Sequence, residues 1–283
     1  MRGRGGGWGL AGLSPRRRMF FVGTCLVVAA AVIVVGLKIA GVFSPAAARA
    51  NPAVPTVVVL VPGYGGNTAG VDVLAAHIRG FGMSTEVVSL PGSGTGDLGA
   101  QAVVLNGYLN RALHSGAGQV DIVGYSAGGV VTRLWDEQDD GAAKIHRIIT
   151  LGSPLNGTRI AAAGNAADPG ACPQACQELV PGSTLLTKLH SVPLGSRPGW
   201  LSLWTTDDQT VRPPTSAHLA GAVNLALQSV CPGIVIAHSQ LPTSPLVIGI
   251  VLRALAAGPL TAPGRGDCAQ LQALGNGPTL GAS

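Results

Sequence analysis

From residue 55 onward the apolar residues alternate between two spacings. Thr56 to Val61 is an unbroken, mostly β-branched run, as expected of a strand covered on both faces, and Thr68 to Arg79 changes to helical spacing. Thr85 to Leu90 reads as a second strand, Pro91 to Asp97 as a glycine-rich loop and Leu98 to His114 as a helix. Gln119 to Val123 is a third strand, Ser126 to about Glu137 a helix, and Ile145 to Leu151 a fourth strand. Leu201 to Thr205, Ala222 to Gln228 and Ile234 to Ala237 are shorter strand candidates, and Pro245 to Ala257 is an apolar helix. Regular alternation of this kind predicts an α/β fold, a mostly parallel sheet of about six strands with helices on both faces. Between Gly152 and Trp200 the periodicity fades into a Gly-, Pro-, Ala- and Cys-containing stretch, read as a loop insertion or a disulfide-stapled cap.

The first fifty residues follow a different pattern. A Gly/Arg stretch ends in Arg16-Arg17-Arg18, and Met19 to Leu37 then carries no charge. A basic start, an apolar run and the small-residue site Ala48-Arg49-Ala50 predict a secretory signal over 1–50, with the folded domain over 51–283. The apolar run is also close to the length that spans a bilayer, so an uncleaved anchor through residues 19–37, with the domain outside, stays open. Arg17-Arg18-Met19-Phe20-Phe21 has a faint twin-arginine character, but its apolar core is too strong for that route.

Charge and cysteine agree with export. Residues 1–50 hold seven basic side chains and no acid, whereas residues 51–283 hold eleven basic and thirteen acidic groups, a net charge of −2. The overall +5 therefore belongs to the leader, and nothing in the domain suits nucleic acid. Cys25 lies in the leader, leaving Cys172, Cys176, Cys231 and Cys268. Proximity pairs Cys172 with Cys176 and exclusion pairs Cys231 with Cys268. Zinc is the weaker alternative, because Cys172-x-x-x-Cys176 has neither CxxC spacing nor histidine beside it.

The chemistry centres on Gly124-Tyr125-Ser126-Ala127-Gly128, between a buried strand and a helix, the context of a nucleophile elbow. With 42 glycines in the chain, the motif alone carries little. A serine nucleophile also needs a base, an orienting acid and donors for the oxyanion. Val61-Pro62-Gly63-Tyr64-Gly65-Gly66 ends the first strand in a glycine-rich turn, so the expected donors are the backbone N–H groups of Tyr64 and Ala127. No GKS, GKT or GxGxxG accompanies that turn, which argues against a nucleotide site. Thr205 to Pro213 follows a strand and offers two acids, Asp207 and Asp208. Asp136, Glu137, Asp139 and Asp140 read as a solvated helix end. Among six histidines, His238 sits in a loop after Ile234-Val235-Ile236-Ala237 and follows both acids. His77, His114, His146 and His190 stand too early in the chain, and His218 has no comparable placement.

Taken together, VVVLVPGYGG, VDIVGYSAGG, IITLGSP, TTDDQTVRPP and VIAHSQLP make residues 56 to about 257 resemble the small secreted bacterial lipases and esterases of the α/β-hydrolase superfamily, the nearly lid-free type. The resemblance implies an α/β-hydrolase fold and a triad of Ser126, Asp208 and His238, with Asp207 the second choice of acid. It implies no cofactor and no metal. Pro62 stands where the family often has histidine in the oxyanion turn. The expected activity is hydrolysis of lipid or other apolar acyl esters. An acyltransferase on the same residues, a peptidase or thioesterase, and a catalytically inactive envelope-binding module are the alternatives. Oligomeric state, acyl chain length and alcohol moiety are not written in the sequence.

Overall fold

The computed structural model describes residues 55–138, 145–195 and 198–277. The expected signal or anchor over 1–50, Cys25, and the acids Asp139 and Asp140 lie outside the described residues. Among the described residues six strands form one sheet: β1 (Thr56–Val61), β2 (Ser84–Val87), β3 (Gln119–Tyr125), β4 (Ile145–Leu151), β5 (Gly199–Trp204) and β6 (Val223–Ala226). Their order is β2-β1-β3-β4-β5-β6, and every pairing is parallel. The chain runs outward from β1 to β2, then returns past β1 to build the other side. β1 and β3 are thus the neighbours at which the direction of winding reverses, and ligand sites in open α/β sheets lie outside the carboxyl ends of such strands.

The apolar runs are continuous because both sheet faces are covered. Val58 and Leu60 point into one cluster, with α1 (Ala69–Gly80), α8 (Pro245–Leu255) and α9 (Cys268–Gly275). Val59 and Val61 point into the other, with α2 (Leu98–His114) and α3 (Ala127–Gln138). Burying a Val, Leu or Ile side chain completely is worth roughly 1.5–3 kcal/mol. The two layers are therefore what fixes the sheet.

Three sequence expectations change. β2 ends at Val87 rather than Leu90, because the Ser89 N–H donates to the Tyr108 hydroxyl at 3.1 Å instead of to a strand. Ala222 to Gln228 splits into β6 and the short helix α7 (Leu227–Val230). Ile234 to Ala237 is not a strand: the Ile236 N–H donates to Asp207 Oδ2, the Ile234 carbonyl accepts from Gln228 Nε2, and the Ala237 N–H donates to Gln240 Oε1. Side chains have taken the backbone groups a ladder would need.

The segment between Gly152 and Trp200 is ordered into α4 (Arg159–Ala167), a 3-10 turn at Pro169–Ala171, α5 (Gln174–Glu178) and α6 (Thr184–Ser191). Thr158, Asp168 and Ser183 supply the N-caps, each accepting a backbone N–H with its side chain. Ala175, Leu179, Leu186 and Leu189 are buried in the α2–α3 layer. Both expected disulfides form, Cys172–Cys176 and Cys231–Cys268, so these sulfurs are not metal ligands. Among the described residues no helix is long and apolar enough to cross a membrane.

Candidate active site

β3 ends in a turn so sharp that Ser126 adopts φ 53°, the one positive φ of a non-glycine residue among those described. That conformation costs of order 1–3 kcal/mol and persists only where the surroundings enforce it. Here the Ser126 N–H donates to the Leu151 carbonyl at 2.9 Å, while the Gly129 N–H donates to the Ser126 carbonyl at 3.0 Å. Gly128 is glycine for lack of room, since a methyl there would collide with the Val61 and Pro62 carbonyl oxygens. The end of β1 and the start of α3 thereby meet beneath the serine.

His238 Nε2 lies 3.0 Å from Ser126 Oγ, and His238 Nδ1 lies 2.7 Å from Asp208 Oδ2. Asp208 is fully buried, and its Oδ1 accepts the Thr210 and Val211 N–H groups at 2.8 and 2.7 Å. A carboxylate so held accepts the Nδ1 proton, leaving Nε2 as acceptor for the serine hydroxyl. Asp207 faces the other way. Its Oδ2 accepts from Gln228 Nε2 at 3.0 Å and from the Ile236 N–H at 3.3 Å, so this acid holds the histidine loop rather than the imidazole.

The β1 turn reaches the same point. A Cβ on Gly63 would lie 3.0 Å from Ser126 Cβ, and Gly65 and Gly66 adopt φ +85° and +65°. Among the described residues neither the Tyr64 nor the Ala127 N–H has a hydrogen-bond partner.

Several contributors were not singled out from the sequence. The Tyr125 hydroxyl donates to the His238 carbonyl at 3.3 Å, and its ring lies 5.3 Å from the imidazole, centroid to centroid. Burial, reinforced by the negative charge of Asp208, pushes the Tyr125 phenol up to about 12, so it stays a donor at neutral pH. Gly152 adopts φ +55°, and a Cβ there would run into Leu241 and come within 3.3 Å of both Asp208 Oδ2 and His238 Nδ1. Gln228 links the acid and histidine loops through Thr205 Oγ1, Asp207 Oδ2 and the Ile234 carbonyl. Only the αL glycine after a strand could have drawn attention to any of these in advance.

The remaining histidines have other partners or places. His190 Nε2 meets the Leu155 carbonyl, His114 the Asn110 carbonyl, and His146 the buried Asp121. His77 is held below its usual value by burial, and His218 is exposed. Asp136 pairs with Arg133 at 3.2 Å and Glu137 with Lys188 at 3.9 Å, within helix packing rather than at a solvated end. Among the described residues no group of three or more His, Cys, Asp or Glu is placed to hold a metal ion. Two cavities, about 400 Å³ beside Leu189 and Leu219 and about 740 Å³ beside Gln174 and Glu178, are lined by none of the triad residues.

No family model matches the chain, and no curated protein matches it. Solved structures do. Aspergillus fumigatus lipase B superposes with a TM-score of 0.62 at 18% identity over 78% of this chain, which spans 61% of that larger protein. The mature Bacillus licheniformis lipase BlEst2 gives 0.59 at 19% identity, covering 74% of this chain and 94% of the lipase. A Listeria innocua gene product gives 0.52 at 13% identity, over 74% and 97%. The fold is that of the α/β-hydrolases. In this fold a serine on the turn after a central strand stands at the carboxyl edge of the sheet, where Ser126 lies. At these identities the likeness is one of architecture, and the chemistry rests on the residues themselves.

Proposed function

We propose that the protein is an exported serine hydrolase of carboxylic esters, a carboxylesterase or lipase acting on apolar acyl chains. The observation that carries this reading is the hydrogen-bonded series Ser126–His238–Asp208, with the unpartnered Ala127 N–H at the strained elbow and the unpartnered Tyr64 N–H in the turn after β1. Ser126 Oγ attacks the ester carbonyl as His238 Nε2 takes its proton. Asp208 orients the imidazole and stabilises its cation, and the Tyr64 and Ala127 N–H groups hold the oxyanion. His238 then protonates the leaving alcohol, and water, activated by the same imidazole, releases the acid from the acyl-enzyme. No cofactor or metal enters these steps.

The lipases that share the fold, and the exposed Tyr64 side chain on the residue whose N–H is assigned to the oxyanion, support an apolar substrate. The two disulfides support folding outside the cytosol, with residues 1–50 acting as leader or anchor and 51–283 as the hydrolase. The test is a nitrophenyl ester series of increasing chain length together with a fluorophosphonate probe, on the wild type and Ser126→Ala. Turnover and labelling are expected in the first and absent in the second; equal labelling of both refutes the assignment. Adding a candidate alcohol to the same assay separates hydrolysis from acyl transfer.

A further inference from the structure

We infer that α5, closed by the Cys172–Cys176 disulfide and carrying Gln174 and Glu178, positions the oxyanion turn at Tyr64 by bracing residues 93–98. The inference rests on the catalytic reading above for its kinetic part and on hydrogen bonds alone for its structural part.

Among the described residues the donor turn has one hydrogen bond across to another segment: the Gly65 N–H, next to Tyr64, donates to the Gly94 carbonyl at 3.3 Å. Contact is close as well, since a Cβ on Gly94 would lie 2.7 Å from the Gly66 nitrogen. The placement of Gly94 therefore passes directly to Tyr64. Yet Gly94 stands in a stretch with glycine at 92, 94 and 96, which on its own samples many conformations. Gln101 holds that stretch from α2, donating to the Gly96 carbonyl at 3.0 Å. Within the stretch the Gly94 N–H donates to the Pro91 carbonyl at 3.1 Å and the Ser93 and Thr95 hydroxyls meet at 2.7 Å, and the ties that reach it from beyond α2 come from α5. The Ala175 N–H donates to the Thr95 carbonyl at 3.0 Å, Gln174 Nε2 donates to Asp97 Oδ2 at 2.6 Å, and Glu178 Oε2 accepts the Leu98 N–H at 2.8 Å.

A five-residue helix does not persist alone. This one is closed by the disulfide, by Gln177 donating to the Cys172 carbonyl at 2.8 Å, and by Gln174 donating to Glu178 Oε1 at 3.0 Å; Ala175 anchors it in the core. Gln174 and Glu178 are positioning residues that reach no reacting atom and act through Thr95, Asp97 and Leu98 on Gly94 and so on Tyr64.

Hydrogen exchange at Gly65 tests the brace without reference to activity. Glu178→Ala, Gln174→Ala and the pair Cys172→Ser with Cys176→Ser are each expected to speed Gly65 exchange about tenfold. Their kcat on a nitrophenyl ester should fall about five- to tenfold, with KM within about twofold and binding of an aryl boronic acid weakened in step, because the loss falls on the oxyanion. Glu178→Gln, which keeps an oxygen for the Leu98 N–H, should restore most of both. Unchanged Gly65 exchange in all the variants overturns the brace, as does a rise in KM at constant kcat, which would mark α5 as a substrate wall. Faster exchange with unaltered kcat overturns the positioning role. Should Glu178→Ala not fold, Gln174→Ala, with its exposed side chain, decides the question. A wild type that turns over no ester refutes the proposed function, while the exchange result still decides whether α5 braces the turn.

Discussion

Asp207 and Asp208, adjacent in the chain, hold the same histidine in two different ways: Asp208 Oδ2 meets the imidazole at 2.7 Å, and Asp207 Oδ2 meets the Ile236 N–H of the histidine loop at 3.3 Å. Exchanging one and then the other should separate the two tasks. Asp208→Asn leaves the imidazole without its orienting charge, and kcat should drop roughly 10³- to 10⁴-fold with little change in KM. Asp207→Ala removes a loop tie, a neutral-to-charged hydrogen bond worth about 1.5–3 kcal/mol before relaxation, and should lower thermal stability while reducing kcat by about tenfold or less. Steady-state kinetics with thermal melts on both variants check this; the reverse ranking would assign the acid to Asp207.

At Gly152 one added carbon would reach the Asp208–His238 pair directly. Its φ of +55° disfavours any side chain, and the methyl of Gly152→Ala would press on Leu241 and on the Asp208–His238 pair. We expect about 1–3 kcal/mol of destabilisation by denaturant titration and a kcat loss of about ten- to a hundredfold. Full activity would mean that Leu241 yields without moving His238.

Tyr125 makes stability fall at high pH. Its phenol is raised from 10.0 to about 12 in the folded protein, so the unfolded chain loses that proton first. The stabilisation is fully present below about pH 10 and is lost as pH climbs through about 12. Tyr125→Phe keeps the ring beside His238 and should flatten this alkaline decline. Denaturant titrations from pH 9 to 11.5 on both proteins measure the difference, and parallel curves would exclude the tyrosine as its source.

Glu178 gives the opposite end of the pH scale. Burial raises its carboxyl above 4.5, more than its bonds to the Leu98 N–H and Gln174 lower it. Its contribution is therefore fully present below about pH 4.5 and is lost as pH rises through the raised folded value. Relative to Glu178→Gln, the wild type should gain stability on acidification from pH 7 towards 4.5. Melts of the pair across that range test the sign.

What the sequence discloses follows from whether an element's partners are near or far along the chain. β1 and β3 are legible because burial on both faces leaves an unmistakable apolar run, and the elbow is legible because its strand and helix adjoin it. Ser126, Asp208 and His238 follow from chain order and family resemblance, and the fold brings the three within hydrogen-bond distance. The stretch 234–237 misleads because its apolar side chains suit a strand while Asp207, 29 residues before Ile236, and Gln228, 6 residues before Ile234, claim its backbone. α4 to α6 escape notice because their apolar residues are few and their caps lie among glycines and prolines. Gly152 shows in the sequence only as a glycine after a strand, because its constraint is set by Leu241 and His238, some ninety residues away.

The Cys231–Cys268 bond spans 37 residues and encloses His238 within its covalent ring. A protease that cuts the exposed linker near Gly258 would therefore release nothing: the piece bearing α9 would stay attached to the one bearing the His238 loop, and the nick would show on a gel only after reduction. The ring turns a break in the chain from loss of a fragment into a local scar.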